Sequence, residues 1–271
     1  SYRKLDTMKP NPGTLRIGTS GFHYSHWKGV FYPDSVPKAK WFLHYAQHFD
    51  TVEINNTFYH LPSAAAFDVW KKQAPLGFVY ALKFNRYGSH WMRLKKPRQT
   101  IGNFLAVAER LGKFLGPILV QLPPHWRVDA RRLESFLAAA PRALRWAVEF
   151  RDPSWLCGEV YAVLERHGAG LCVHDMIKDH PRVITSPWTY VRYHGQRYAE
   201  SYSAQKLAAE AKWIKRMLAS GRDVYVYFNN DAQGYAVKNA ADLRRFIVAH
   251  KKMGRDRRAR HRELAAEASA L

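Results

Sequence analysis

Eight short runs rich in β-branched and aromatic residues recur along the chain, nearly all separated by segments of helix length. They are Leu15 to Thr19, the start of T-V-E-I-N-N-T-F-Y at 51, Phe78 to Phe84 and I-L-V-Q-L at 118. Arg145 to Phe150, Gly170 to His174, Thr189 to His194 and Val224 to Phe228 complete the set. Alternation of strand and helix implies a parallel sheet. Eight repeats in 271 residues favour a closed (β/α)8 barrel of the TIM type over an open doubly wound sheet, since such barrels take about 250 residues. The α/β pattern is irregular in one place. Between strands six and seven, residues 175–188 hold Pro181 and Pro187 and leave room only for a loop or a short turn.

The strands share a second feature. Val52 and Ile54 point one way while Thr51, Glu53 and Asn55 point the other. Val148 and Phe150 alternate with Glu149 and Arg151, and Val191 and Tyr193 with Arg192 and His194. Lys83, Gln121, His174, Tyr227 and Asn229 fall on the same parity of their strands. In a barrel these polar faces converge, and active sites of such barrels lie at the strand C-termini. The expected catalytic residues are Glu53 or Glu149 as general base and His174 or His194 as acid. Lys83, Arg86, Arg151 and Arg192 are expected to hold an anionic group, with Asn55, Gln121, Tyr227, Asn229 and Asn230 orienting it. A buried ion network that only fills the barrel is the competing explanation, though buried charges cost several kcal/mol each.

The domain boundaries follow from composition. Residues 1–14 are a polar lead-in, 15–252 a single barrel domain and 253–271 a basic tail. Between strands the pattern places helices from Lys38 to His48, Ser63 to Gln73, Gln99 to Lys113, Asp129 to just before Pro141, Pro153 to His167, Ser203 to Gly221 and Ala240 to Lys252. Hydrophobic residues make up 47% of the chain, enough for one large core.

The net charge of +21 favours anionic partners, whether a small anion or nucleic acid. From Lys83 to Arg98 there are six Lys or Arg and no acid, with Tyr87 and Trp91 interleaved. Two cysteines without metal-ligand spacing and an N-terminus without an apolar signal region point to the cytoplasm. The chain starts at Ser1 rather than Met, which points to a trimmed N-terminus. No apolar run approaches the length of a membrane span, so no membrane partner is expected. There is no nucleophile elbow, no phosphate-binding P-loop and no paired-ligand metal motif. No cofactor is therefore expected. A divalent metal on Glu53, Glu149, His174, Asp175 and His194 is the alternative, opposed by the charges of Lys83, Arg151 and Arg192.

Seven segments resemble one family. They are G-T-S-G-F at 18, W-K-G-V-F-Y-P at 27, T-V-E-I-N-N-T-F-Y at 51, L-G-P-I-L-V-Q-L-P-P at 115, A-V-E-F-R-D-P-S-W at 147, V-R-Y-H-G at 191 and V-Y-V-Y-F-N-N-D-A-Q-G-Y-A at 224. From about Leu15 to His250 the chain is similar to the YecE-like family, domain of unknown function 72. That resemblance implies a TIM-type barrel and carries no reaction with it. Where family members often carry Trp and His, this chain has Phe22 and Asp152.

Three functions follow as expectations. The first is a hydrolase-like enzyme acting on a phosphate-bearing or other anionic substrate. The second is a carbohydrate-active hydrolase or isomerase using Glu53 and Glu149 across a glycosidic bond. The third is a nucleic-acid-binding protein without catalysis, using basic grooves and aromatic platforms.

Overall fold

The computed structural model describes residues 11–195 and 198–248. Its eight strands are β1 (Leu15–Thr19), β2 (Thr51–Ile54), β3 (Val79–Lys83), β4 (Leu115–Gln121), β5 (Trp146–Glu149), β6 (Gly170–His174), β7 (Trp188–Tyr193) and β8 (Asp223–Phe228). All pair in parallel. Neighbours follow chain order from β2 round to β8, and β8 pairs with β1. The result is the TIM-like barrel that the strand count implies. Side chains of Ile17, Val52, Leu82, Val120, Val148 and Val226 face outward and join the apolar helix faces in one core. Ala81, Leu119, Ala147, Cys172, Trp188, Tyr190, Tyr225 and Tyr227 face inward and fill the barrel.

Closure between β1 and β2 is unusual. A lone bridge joins Ser20 to Glu53, where the Gly21 N–H donates to the Glu53 carbonyl at 2.8 Å. Next to it a side chain replaces the ladder. The Thr19 N–H donates to the Tyr45 hydroxyl at 3.0 Å, and that hydroxyl donates to the Thr51 carbonyl at 3.0 Å. Gly18 permits the close approach, because a Cβ there would lie 2.2 Å from the Thr51 oxygen.

The helices begin where side-chain oxygens can cap them. Ser63 Oγ accepts from the Ala66 N–H, Asp129 Oδ1 from Arg132 and Ser203 Oγ from Lys206. Several boundaries differ from the sequence expectation. Pro153 opens only a 3-10 turn, Pro153–Trp155, capped by Asp152, and the helix proper is Gly158–His167. The helix expected from Gln99 runs from Pro97 to Ala108, and a 3-10 segment, Glu109–Phe114, carries the chain to β4. The last helix starts earlier than Ala240, covering residues 235–248. Proline fits the first turn of either helix type, so its position alone does not fix where an α-helix begins.

The link from β6 to β7 holds no helix, in keeping with its two prolines. Thr185 fastens it instead, its hydroxyl accepting from the Leu171 N–H and donating to the Ala169 carbonyl. The expected basic tail, 253–271, lies outside the described residues, as does most of the lead-in.

Candidate active site

The upper half of the barrel interior holds a buried ion network. Glu53 on β2 is fully buried. It accepts hydrogen bonds from Ser20 Oγ at 2.6 Å, Tyr190 Oη at 2.6 Å and Arg192 Nη2 at 2.7 Å. The other arm of the same guanidinium, Arg192 Nη1, donates to Glu149 Oε2 at 2.6 Å. Glu149 also accepts from Arg151 Nε. Two carboxylates thus face two guanidiniums, and charge balances in a place closed to water. Burial would raise the Glu149 carboxyl, yet the charges of Arg192 and Arg151 carry it well below its ordinary value. Burial and the nearby Arg192 lower the His194 imidazole to about 4, so it is neutral. His194 Nδ1 lies 3.1 Å from Asn229 Nδ2, and its Nε2 lies 3.5 Å from Arg192 Nη1 and 3.7 Å from Glu149 Oε1.

Above this network opens a cavity of about 550 Å³. Lys83, Arg86 and Arg151 supply its charge, and Asn55, Gln121 and Asn229 its amides. Tyr24, Phe58, Tyr59, His90 and Tyr198 complete the wall. Among the described residues no carboxylate lines it. Arg151 spans the two regions. Its Nε holds Glu149 while Nη1 and Nη2 reach Tyr198 Oη at 3.4 Å and Gln121 Oε1 at 3.5 Å. Asn55 keeps a buried amide oxygen with no partner among the described residues.

Lys83 stands apart from the other cations. Its Nζ sits 4.0 Å from the centroid of the Phe58 ring. Among the described residues it forms no ion pair, and its neighbours act on it through charge alone. Burial, then the charges of Arg192 and Arg151, lower its ammonium to about 7, against partial opposition from Glu149 and Glu53. His90 packs edge-on against the same Phe58 ring at 4.9 Å between centroids. Burial and the charges of Lys83, Arg86 and Arg151 lower His90 to about 4.

Local structure explains how these groups arrive. The short helix Asn56–Tyr59 directly follows β2 and presents Phe58. Thr57 ties that helix to β3, donating to the Lys83 carbonyl at 2.6 Å. After β3 the chain forms a π-helical turn, Tyr87–Trp91, which carries His90. Asn85 Oδ1 accepts the Gly88 N–H at its start. Only glycine fits at 88, because a Cβ would come within 2.5 Å of the Phe84 ring. Arg93, Leu94 and Lys96 then adopt positive φ angles of 45°, 62° and 49°. Such left-handed residues are costly unless their surroundings hold them, and they gather at functional sites.

The residues singled out from sequence separate into groups. Asn55, Lys83, Arg86, Gln121, Arg151 and Asn229 line the cavity. Glu53, Glu149, Arg192 and His194 lie beneath it, buried and mutually bonded. Tyr227 is deeper still, its hydroxyl 2.7 Å from Thr51 Oγ1. His174 faces another hollow, with both ring nitrogens engaged by backbone, the Phe150 carbonyl and the Met176 N–H. Asn230 clamps the Glu200 carbonyl to Asn239. Phe58, Tyr59, His90 and Tyr198 escaped the sequence analysis. Tyr24 lies in the aromatic run 22–32, which the sequence allows as packing or as a ligand platform; Trp27 and Tyr32 in it are buried as packing, and Tyr24 reaches the cavity wall. The others lie on loops and short turns, where the two-residue strand period gives no signal.

Among the described residues no group of three or more His, Cys, Asp or Glu has the geometry to hold a metal ion. No described helix is long and apolar enough to cross a membrane. A larger, apolar hollow of about 880 Å³, walled by Val30, Phe31, Phe49 and Val237, lies where none of the inward polar side chains reaches.

A family model described as "Protein of unknown function DUF72" matches residues 16–263. The chain belongs to the DUF72 family. The UPF0759 protein YecE of Escherichia coli K12 is 31% identical over 124 residues, 45% of this chain and 46% of YecE. The chain thus spans about half the length of that relative. The UPF0759 protein YunF of Bacillus subtilis is 24% identical over 257 residues, 78% of this chain and 88% of YunF. A DUF72 protein from Thermotoga maritima superposes with a TM-score of 0.78 at 27% identity, covering 86% of this chain and 99% of its own. One from Enterococcus faecalis gives 0.74 at 21%, covering 86% and 95%, a likeness of fold alone. The DUF72 chain described here shares its barrel with these structures, and none of their names carries an activity.

Proposed function

We propose that this DUF72 protein is an enzyme whose substrate is a small phosphate- or carboxylate-bearing molecule bound in the cavity at the strand C-termini. One observation carries the reading. Among the described residues three cationic side chains and no carboxylate line the cavity, while both nearby carboxylates are already held by Arg151 and Arg192. Arg86 and Arg151 would grip the anion, and Asn55, Gln121 and Asn229 would orient it. Arg151 is itself positioned by Glu149, which makes the buried network a foundation for the site.

The acid and base roles shift accordingly. Glu53 and Glu149 are fully buried and saturated with donors, and so are poorly placed to take a proton from a ligand. Lys83 and His90 are the basic groups on the cavity wall that burial and neighbouring charge shift toward their neutral forms. In its neutral form the Lys83 amine can accept a proton or attack a carbon. The carbohydrate alternative is weakened by the same contacts, since both carboxylates bind Arg192 directly.

Calorimetric titration with inorganic phosphate and with small carboxylates tests the reading. Saturable binding that weakens in Arg86→Gln and at high ionic strength supports it. Absence of saturable binding by any of these anions sinks it.

A second reading has its own observation. Trp91 and Tyr87 are exposed on the rim beside Arg86, whose guanidinium lies 5.2 Å from the Trp91 ring centroid. Exposed aromatic rings among Lys and Arg suit the bases and phosphates of a single strand. Trp91→Ala should then weaken oligonucleotide binding measured by anisotropy. Unchanged affinity removes the rim from that account.

A further inference from the structure

We infer that Lys83 forms a covalent imine with a substrate carrying an aldehyde or ketone together with the anionic group. The inference rests on the anion-site reading above and deepens it. It begins from a contrast among the buried cations. Arg192 and Arg151 are locked to carboxylates by direct bonds, whereas the Lys83 amine, also largely buried, forms no ion pair with any described residue. Buried ammonium groups without a counter-charge are destabilising. A lysine kept in such a place, at the C-terminal end of a barrel strand, is free to act as a nucleophile.

The surroundings favour the neutral amine. The charged and titratable groups around it are Glu53 from β2, Glu149 and Arg151 from β5 and its end, Arg192 from β7, and Arg86 and His90 after β3. Arg86 and Arg151 share the cavity wall with Lys83, so a bound anion would bring an attached carbonyl toward Nζ. The Phe58 face, 4.0 Å from Nζ, excludes water from one side and would stabilise positive charge on the nitrogen.

The chemistry balances without a redox partner. The amine lone pair attacks the carbonyl carbon, and the carbonyl π electrons move to oxygen, which takes a proton. The nitrogen loses a proton, the carbinolamine hydroxyl is protonated and leaves as water, and the nitrogen lone pair closes the C=N bond. Overall, amine plus carbonyl plus one proton gives the protonated imine plus water. His90, neutral and packed on the same Phe58 ring, is the proton carrier on that wall. The protonated imine then draws electrons from a bond at the neighbouring carbon, which defines the reaction class as cleavage, formation or proton transfer next to a carbonyl.

Reductive trapping tests the inference. The full-length protein is incubated at pH 7 with glycolaldehyde phosphate and sodium cyanoborohydride, and modified lysines are mapped by peptide mass spectrometry. Inorganic phosphate binding is measured in parallel by calorimetry. The expected result is modification at Lys83 about tenfold or more faster than at surface lysines, whose ordinary pKa near 10.4 keeps them protonated. Inorganic phosphate should suppress that modification and spare the surface lysines. The rate at Lys83 should rise through pH 7 rather than through pH 10. Lys83→Met should abolish the labelling of that peptide, and the wild-type map stands by itself if this variant fails to fold. Phosphate binding with modification spread evenly over surface lysines overturns the imine and leaves the anion site standing. No phosphate binding and no preference for Lys83 overturns both.

Discussion

Arg192 and Lys83 show two ways of keeping a cation out of water, and they respond oppositely to substitution. Arg192 is sandwiched between Glu53 and Glu149. Removing one partner of a buried pair costs about 3–5 kcal/mol, because the remaining charge stays buried alone. Arg192→Met strands two carboxylates, whereas Glu149→Gln leaves Arg192 its bond to Glu53. Both variants should be destabilised in urea titrations, Arg192→Met the more. Equal midpoints for the two would mean that the network relaxes around the loss. Lys83 is predicted to behave in reverse. Its ammonium is lowered in the fold to about 7 from an ordinary 10.5. Between those values the unfolded chain binds a proton that the native state does not, so its burden on stability is full below pH 7 and fades as pH rises to about 10. Lys83→Met should therefore raise the melting temperature, and the gain should shrink between pH 7 and pH 10. A gain independent of pH would place the effect in packing instead.

Where strands and turns meet, Tyr45 carries a load usually borne by backbone. Its hydroxyl joins the Thr19 N–H to the Thr51 carbonyl across the β1–β2 seam. Tyr45→Phe leaves both backbone groups buried without that partner, and each unsatisfied group costs about 1–3 kcal/mol. The expected outcome is a lower melting temperature together with faster hydrogen exchange at the Thr19 amide. Unchanged exchange there would show that the strands pair directly once the hydroxyl is gone. This seam was not legible in the sequence, because nothing in the spacing of Tyr45 and Thr51 announces a side chain inserted in a ladder. The strands were legible, since a period of two and helix-length gaps survive in a single sequence. The same parity puts Glu53, Glu149, Arg192 and His194 on the inward face with Lys83 and Arg151, but it cannot report depth. Inward residues low on a strand become floor, and those past its end become wall. The turn Tyr87–Trp91 was invisible for another reason: a π-helical turn has no hydrophobic period of its own.

For the protein taken together, acid is the expected weakness. His174 and His194 are neutral in the fold, each lowered to about 4 chiefly by burial, while an unfolded histidine takes its proton near 6.5. Between about 6.5 and 4 the unfolded state binds more protons, so stability falls as pH falls, by about 1.4 kcal/mol per pH unit for each histidine fully engaged. Glu149, also lowered in the fold, adds to the loss at the acid end. Urea midpoints measured from pH 7 to pH 4.5 should decline steeply, and His174→Gln should flatten the decline by about one proton. A flat profile in the parent protein would contradict the burial of both rings. The guanidinium of Arg192 has one more implication, for how the chain could be divided. Its carboxylate partners lie 139 and 43 residues earlier, Glu53 in the first four strands and Glu149 in the last four. Cut between β4 and β5, each fragment would inherit a charge whose mate is on the other piece. Neither half-barrel is then self-sufficient, and the two pieces carry matched electrostatic halves of one joint that can be completed only by finding each other.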